Sequence, residues 1–383
     1  MKERYYSLDV FRGATVALMI LVNNPGSWSN IFGPLKHAPW HGCTPTDLVF
    51  PFFLFAVGNA MAFVMPRWET ASTGFVLGKI FKRTLLIFVI GLLLNWSPFY
   101  EWSEGKLVFR QFEKVRILGV LQRIALAYCL ASLIVHFFKA RVAFFISLLI
   151  LLLYWLLCIA FAHSVDPYSL EGFFGTHVDR QLLGENHLYK GEGVPFDPEG
   201  LASTLPAIVQ VIFGYFVGRY IQTKGKNFEM LSNLFVAGCV LVFTGLCWDL
   251  VFPINKKIWT SSYVCYTTGL AMLILGVMIY LIEFREYRGA WSRFFVVFGK
   301  NPLFIFVISA LFVKALALIR WVDRVNEEGK EVYITPLAWF YKYVCKPISG
   351  KLEVGSLVYA LIMIAFFWLI VWWLDRKRIY IRV

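Results

Sequence analysis

Charge is scarce in this chain. Only 16% of its residues are Asp, Glu, Lys or Arg, against about 25% in soluble domains, so a molecule wetted on all sides is excluded. No Gly-, Ser- or Pro-rich linker divides the sequence and no internal repeat stands out, so residues 1–383 read as one transmembrane domain. The first apolar run holds Asp9 and Arg12 at its entry and ends in Asn23-Asn24-Pro25 without a small-residue cleavage site. It is therefore expected to stay in place rather than act as a cleaved signal. The seven cysteines show no metal spacing and fall mostly within apolar runs, where free thiols are expected. Cys43 and Cys345 share one side and leave room for a bridge. Short alternating segments of about 10 residues, the mark of a membrane β-barrel, are missing too.

What the chain has is hydrophobic length. It is 59% apolar, and its runs of roughly 20 apolar residues predict an all-α, polytopic membrane protein with about ten transmembrane helices. They fall at roughly 10–24, 45–65, 79–96, 117–137, 142–162, 201–221, 231–251, 262–282, 300–320 and 355–374, with ends uncertain by several residues. The net charge of +13 does not point to nucleic acid, because the basic residues are spread over loop ends. They sort instead by side. Short segments on one face hold Arg67, Lys79, Lys82, Arg83, Lys139, Arg141, Lys224, Lys226, Arg285, Arg288, Arg293 and Arg376-Lys377-Arg378, while the longer opposite loops carry most of the acids. The positive-inside rule then puts both termini in the cytoplasm and His37 on the external face.

Polar residues at a membrane mouth need a reason, since lipid rewards none of them. Asn23-Asn24-Pro25-Gly26 and Lys36-His37-Ala38-Pro39-Trp40-His41-Gly42 lie between two apolar runs and read as the lining of a water-filled cavity. His37 and His41 are four apart, but Gly33, Pro34, Pro39 and Gly42 argue against a helix and no carboxylate or thiol set accompanies them. No metal is expected. A solvated loop histidine is the plain alternative for His37. Thr44-Pro45-Thr46-Asp47 has the form of a helix start with threonine at the cap and a carboxylate three residues on. Asp197-Pro198-Glu199-Gly200 and Asn301-Pro302 repeat that logic, so Asp47, Asp197 and Asn301 read equally well as caps. Asp9 and Arg12, three apart, read as an interfacial ion pair. In the fourth span Arg116 and Arg123 are seven apart, on nearly one helix face, with Gln122 beside them. Buried arginines must be paired or wetted. They suit the phosphates of an anionic ligand, or a structural pair with Asp9, Asp47 or Asp249.

These stretches together resemble the heparan-α-glucosaminide N-acetyltransferase family. The resemblance rests on Ser7-Leu8-Asp9-Val10-Phe11-Arg12-Gly13, Val22-Asn23, Lys36-His37-Ala38-Pro39-Trp40, Asp47-Leu48-Val49-Phe50-Pro51 and Lys114 to Arg123. It continues through Asp179-Arg180, His187-Leu188-Tyr189, Asp197 to Gly200, and Asn255-Lys256-Lys257-Ile258-Trp259. The resemblance implies transfer of acetyl from cytoplasmic acetyl-CoA to the amine of a glucosamine-type sugar on the far side of a bacterial inner membrane. It also implies that His37 is catalytic, as base or acetyl carrier, with Asn23 beside it. Arg116, Gln122 and Arg123 are then expected toward the acetyl-CoA donor, with Asp47, Trp40, Asp179, His187, Asp197, Glu199, Asn255 and Trp259 supporting the site or the sugar. Expected partners are the amino sugar and the bilayer, with a homodimer as an open assembly. A sugar transporter and an envelope O-acetyltransferase are the rival functions; transporters more often show repeats.

Overall fold

The computed structural model describes residues 5–68 and 70–381. Its helices are α1 (Tyr6–Asn23), α2 (Val49–Val64), α3 (Thr73–Trp96), α4 (Val120–Phe137), α5 (Ala140–Ala160), α6 (Phe174–Leu183) and α7 (Leu201–Lys224). There follow α8 (Phe228–Asp249), α9 (Ser261–Ile279), α10 (Ala290–Lys300), α11 (Pro302–Leu316), α12 (Pro336–Phe340) and α13 (Leu352–Arg376). Two antiparallel hairpins interrupt this all-α pattern: β1 (Tyr100–Ser103) with β2 (Lys106–Phe109), and β3 (Trp321–Val325) with β4 (Glu331–Ile334).

Among the described residues, eight helices are long and apolar enough to cross a membrane, and the pair α10–α11, bent by 81°, makes nine if it counts as one span. The remaining expected span, 79–96, is helical within α3 but carries Lys79, Lys82 and Arg83 in its first half. Span ends shift where the local chain has other partners. The span expected from 117 starts only at Val120, and the one expected at 300–320 runs from Pro302 to Leu316.

Helices in lipid gain little from burying apolar surface against one another, so close backbone approach matters more. α2 and α7 meet through Gly58 and Gly214: a Cβ on Gly58 would lie 2.0 Å from Val211 O, and one on Gly214 2.2 Å from Phe55 O. α1 crosses α10 in the same way at Gly13, where a Cβ would lie 1.7 Å from Phe295 O. α5 and α8 stand at the periphery, with Phe145, Leu149 and Leu152 on one and Val236, Val240 and Phe243 on the other left exposed.

The bundle has two distinct ends. At one, α1 starts and α13 finishes: Asp9 O sits against Gly299, Lys300 pairs with Asp375 at 2.8 Å, and Asn301 Nδ2 donates to Ile379 O at 3.1 Å. Asn301 therefore ties the C-terminal segment and makes no side-chain cap on α11. The Asp9–Arg12 ion pair forms at 2.8 Å. At the other end the long connections knot together. Gly42 N donates to Ile254 O at 2.7 Å, Trp40 Nε1 to Tyr168 O at 2.8 Å, Trp102 Nε1 to Leu318 O at 3.0 Å and Ser27 N to Ser356 Oγ at 3.1 Å. His37 lies in this second group. Cys43 and Cys345 are both free thiols, so the bridge left open by the sequence is not formed.

Candidate active site

Asp47 organises the site. The turn Pro45–Leu48 opens α2, and Thr44 caps it as its sequence predicts, with Asp47 returning the bond from the third position. Asp47 Oδ2 accepts from Thr44 N, Thr44 Oγ1 and Ala38 N, each at 3.0 Å. Its other oxygen, Oδ1, lies 2.6 Å from His37 Nδ1. Asp47 thus binds its own turn with one oxygen and meets His37 with the other. A carboxylate only accepts, so this contact places a ring proton on Nδ1, and in the neutral ring the lone pair is then on Nε2. Tyr263 in α9 donates its hydroxyl to Asp47 O at 2.5 Å and locks the turn from behind.

The His37 side chain remains 42% accessible, whereas that of Asp47 is 2% accessible. His37 opens onto a cavity of about 190 Å³. Asn23, at the end of α1, lines the same cavity, with Thr46, Glu199 and Lys256 completing its polar part. The rest is apolar: Met19, Val22, Val49, Phe50, Phe53, Val120, Leu121, Ile124, and Leu303 and Phe306 from the start of α11. The cavity joins the histidine to the first turns of α11, just past the sharp bend. Cys43, alongside, is no rival nucleophile at neutral pH, because burial and the Asp47 charge push its thiol up to about 12.

A short strained turn supplies Lys256. Asn255 Oδ1 accepts from Ile258 N at 3.1 Å, Trp259 N donates to Lys256 O at 3.2 Å, and Thr260 N donates to Asn255 O at 3.1 Å. Trp259 adopts φ +52°, a left-handed conformation that costs a non-glycine residue about 1–3 kcal/mol. The turn presents Lys256 Nζ 3.4 Å from Asp47 Oδ1 and 3.1 Å from His37 Nδ1. Burial pushes this ammonium below its ordinary range, while Asp47 and Glu199 pull it back. Asn255 also reaches His41 Nδ1 at 3.4 Å, so the two loop histidines have separate partners. Sequence reasoning passed over Lys256. Its signal was its place between Asn255 and Trp259, both of which it did single out.

The arginines behave differently from the helical reading. Arg116 lies in extended chain before α4, so it does not share a helix face with Arg123. Four long-range contacts hold that segment extended: Asn95 Nδ2 donates to Arg116 O and Leu118 O, both at 3.0 Å; Ile117 N donates to His187 O at 3.1 Å; and His187 Nδ1 meets Val115 O at 2.6 Å. Both guanidinium groups nonetheless converge on the corner before α7. Arg116 forks onto Asp197 at 2.9 and 2.6 Å and also bonds Glu199, while Arg123 bonds Gly200 O and Ser203 Oγ. Neither pairs with Asp9, Asp47 or Asp249. Arg123 stacks on Trp259 at 4.9 Å, and Trp259 packs edge-on against Phe50 at 5.0 Å and Tyr263 at 5.2 Å. This runs unbroken from the arginine corner to the Asp47 turn. Arg116, Gln122 and Arg123 are not among the cavity-lining residues.

Charge at the corner is arranged to match. Burial opposes ionisation of Arg116, yet Glu199 and Asp197 hold it more firmly protonated, and Arg116 and Arg123 hold Glu199 below its ordinary range against burial. Asp197 accepts from Glu199 N at 3.0 Å and does not cap α7 itself, where Gly200 takes that position. Asp179 in α6 accepts from Leu201 N at 2.9 Å; burial and the Asp197 charge push its carboxyl up to about 7. Trp40 pins the histidine loop: its ring packs on Phe196 at 5.7 Å and lies under Lys257 at 5.5 Å. Trp40 thus belongs to the histidine loop, Asn255 and Trp259 to the Lys256 turn, and Asp179, Asp197 and His187 to the arginine corner and its approach, while His37, Asn23 and Glu199 line the cavity.

A buried carboxylate holding the exposed histidine of a membrane cavity is an arrangement for moving a proton. The catalytic-region profile of the heparan-alpha-glucosaminide N-acetyltransferase family matches residues 4–247, well over half of the chain. The chain belongs to that family. The heparan-alpha-glucosaminide N-acetyltransferase of Homo sapiens is 28% identical over 386 aligned residues, covering 86% of this chain and 56% of the human protein. The enzyme of the same name from Mus musculus is 28% identical, covering 80% of this chain and 53% of its own. The chain spans about half the length of the curated relatives it matches. Within this N-acetyltransferase family, the His37–Asp47 dyad, Asn23 and the arginine corner fall inside the matched stretch, and the Lys256 turn lies beyond it.

Proposed function

We propose that the protein transfers acetyl from cytoplasmic acetyl-CoA to the amine of a glucosamine-type sugar on the opposite side of a bacterial inner membrane. The observation that carries this reading is the His37–Asp47 contact of 2.6 Å, opening onto a cavity inside a helical membrane bundle. The start of α1 and the segment after α13 share the end of the bundle away from His37, and the positive-inside rule favours the cytoplasm for that end. The apolar depth of the cavity suits the uncharged arm of a thioester donor, and its polar mouth suits a sugar.

Asp47 keeps the proton on His37 Nδ1, so Nε2 accepts the proton of the attacking amine as the new C–N bond forms. Asn23, which lines the same cavity, donates its amide N–H to the oxyanion that develops on the carbonyl. As the C–S bond breaks, Nε2 returns its proton to the departing sulfur. Arg116, Arg123, Asp197 and Glu199 act by bracing the Trp259 turn and, through it, the Asp47 turn. Gln122, buried in α4, turns its side chain toward Gly91 of α3 and takes no part in this. Ternary-complex kinetics mark direct transfer, and ping-pong kinetics mark an acetyl carried on Nε2.

The test is CoA release from acetyl-CoA by purified, detergent-solubilised protein, with and without glucosamine, for wild type and His37→Ala. Glucosamine-dependent release that His37→Ala lowers by at least about 100-fold is expected. Release unchanged by the substitution contradicts the role of His37. An ester product in place of an amide makes the enzyme an O-acetyltransferase, and sugar uptake without CoA release makes it a transporter.

A further inference from the structure

The neighbouring lysines 256 and 257 have different duties. Lys257 holds the frame: its Nζ donates to Pro39 O at 2.8 Å and to Glu192 Oε2 at 2.7 Å. Lys256 faces the cavity and the dyad. Around its ammonium stand Asp47 and Cys43 from the turn before α2, Glu199 from the loop before α7, and His37. An ammonium offers only hydrogens, and so does the Nδ1 of a ring bonded to Asp47. Two donors therefore share one acceptor, Asp47 Oδ1, at 3.4 Å and 2.6 Å.

Resting on the acetyl-transfer reading above, we propose that Lys256 is a positioning residue for that reaction: by sharing Asp47 Oδ1 it limits how firmly Asp47 retains the protonated His37 ring. The step it governs is the second proton transfer. Nε2 has taken the amine proton, the C–N bond has formed, and the C–S bond is breaking. The proton on Nε2 must then pass to the thiolate, leaving neutral imidazole, an amide and a free thiol. Without Lys256, Asp47 and the imidazolium form an unopposed ion pair that keeps the proton, and the leaving group departs unprotonated and slowly. The strained turn at Trp259 fixes the height of the lysine, so the sharing is built into the backbone.

The test compares wild type, Lys256→Met and Lys256→Arg by kcat and KM for glucosamine between pH 6 and 9. Lys256→Met is expected to lower kcat by about 10- to 100-fold with KM within about threefold, a loss confined to the chemical step. The acid limb of its kcat profile is expected to move up by about one pH unit, because the opposing positive charge is gone. Lys256→Arg, which still donates to Oδ1, is expected to restore the limb and bring kcat within about fivefold of wild type. A lysine that only supports the fold would lower thermal stability without moving the limb. An unmoved limb in Lys256→Met, or no rescue by Lys256→Arg, overturns the proposal; if Lys256→Met does not fold, Lys256→Gln is read by the same criteria. Wild-type protein without transfer activity overturns the functional reading and this inference with it. Wild-type transfer that Lys256→Met leaves unchanged overturns this inference alone.

Discussion

Replacing Asp47 by Asn tests the dyad with almost no change of shape. Oδ2 of Asp47 accepts from two backbone N–H groups and the Thr44 hydroxyl, so the asparagine must place its carbonyl oxygen there. Its NH2 is then forced to the position of Oδ1, 2.6 Å from His37 Nδ1 and 3.4 Å from Lys256 Nζ. Two donors cannot face each other at that distance, so Nδ1 gives up its proton and accepts from the amide. The ring then carries hydrogen on Nε2, the nitrogen that has to take the amine proton, and general-base work stops. That contribution is commonly about 10²–10⁴-fold, or roughly 3–5 kcal/mol of barrier. Asp47→Asn should therefore lower kcat for glucosamine-dependent CoA release by that factor, with KM for both substrates within about threefold. The capping bonds survive, so the melting temperature in detergent should fall only slightly. A variant keeping more than a third of wild-type kcat would refute the assignment of Asp47 as the partner that sets the His37 tautomer.

Arg116→Ala leaves Asp197, whose side chain is fully buried, and Glu199 without their main partner. Stranding buried carboxylates typically costs about 3–5 kcal/mol, so thermal unfolding should shift down by several degrees, and an unchanged transition would contradict the bracing role. Asp179 gives a pH signature. Its folded-state carboxyl lies up near about 7, so between the ordinary carboxylate range and neutrality the folded protein holds a proton that the unfolded chain has released. Its contribution is fully present in acid and is lost as pH rises toward about 7. Asp179→Asn keeps an acceptor for Leu201 N and removes the titration. The drop in melting temperature from pH 5 to pH 8 should therefore be smaller in the variant, and an equal drop would contradict this.

Much of the bundle was legible in apolar run length, because a bilayer dictates it. The Thr44–Asp47 cap was legible too, since all its partners lie within four residues. The reading failed where distant groups decide the backbone. Heptad spacing put Arg116 and Arg123 on one helix, but Asn95 and His187 capture the carbonyls and amide of 115–118 and hold that stretch extended. Asn301 looked like a cap because proline follows it, yet its amide is taken by the C-terminal segment nearly eighty residues away. The two hairpins left no signal beyond a few alternating residues in polar loops. Lys256 was hidden by its neighbour: in sequence the pair reads as loop charge, and only folding turns one lysine onto Trp40 and the other onto Asp47.

The central claim is that acetyl crosses the membrane between a donor on the side of the chain ends and an acceptor on the side of His37. Proteoliposomes with acetyl-CoA sealed inside and glucosamine supplied only outside test this directly. The account predicts N-acetylglucosamine outside and CoA retained inside, both lost with His37→Ala. Product formed only when both substrates share one face of the membrane would contradict it.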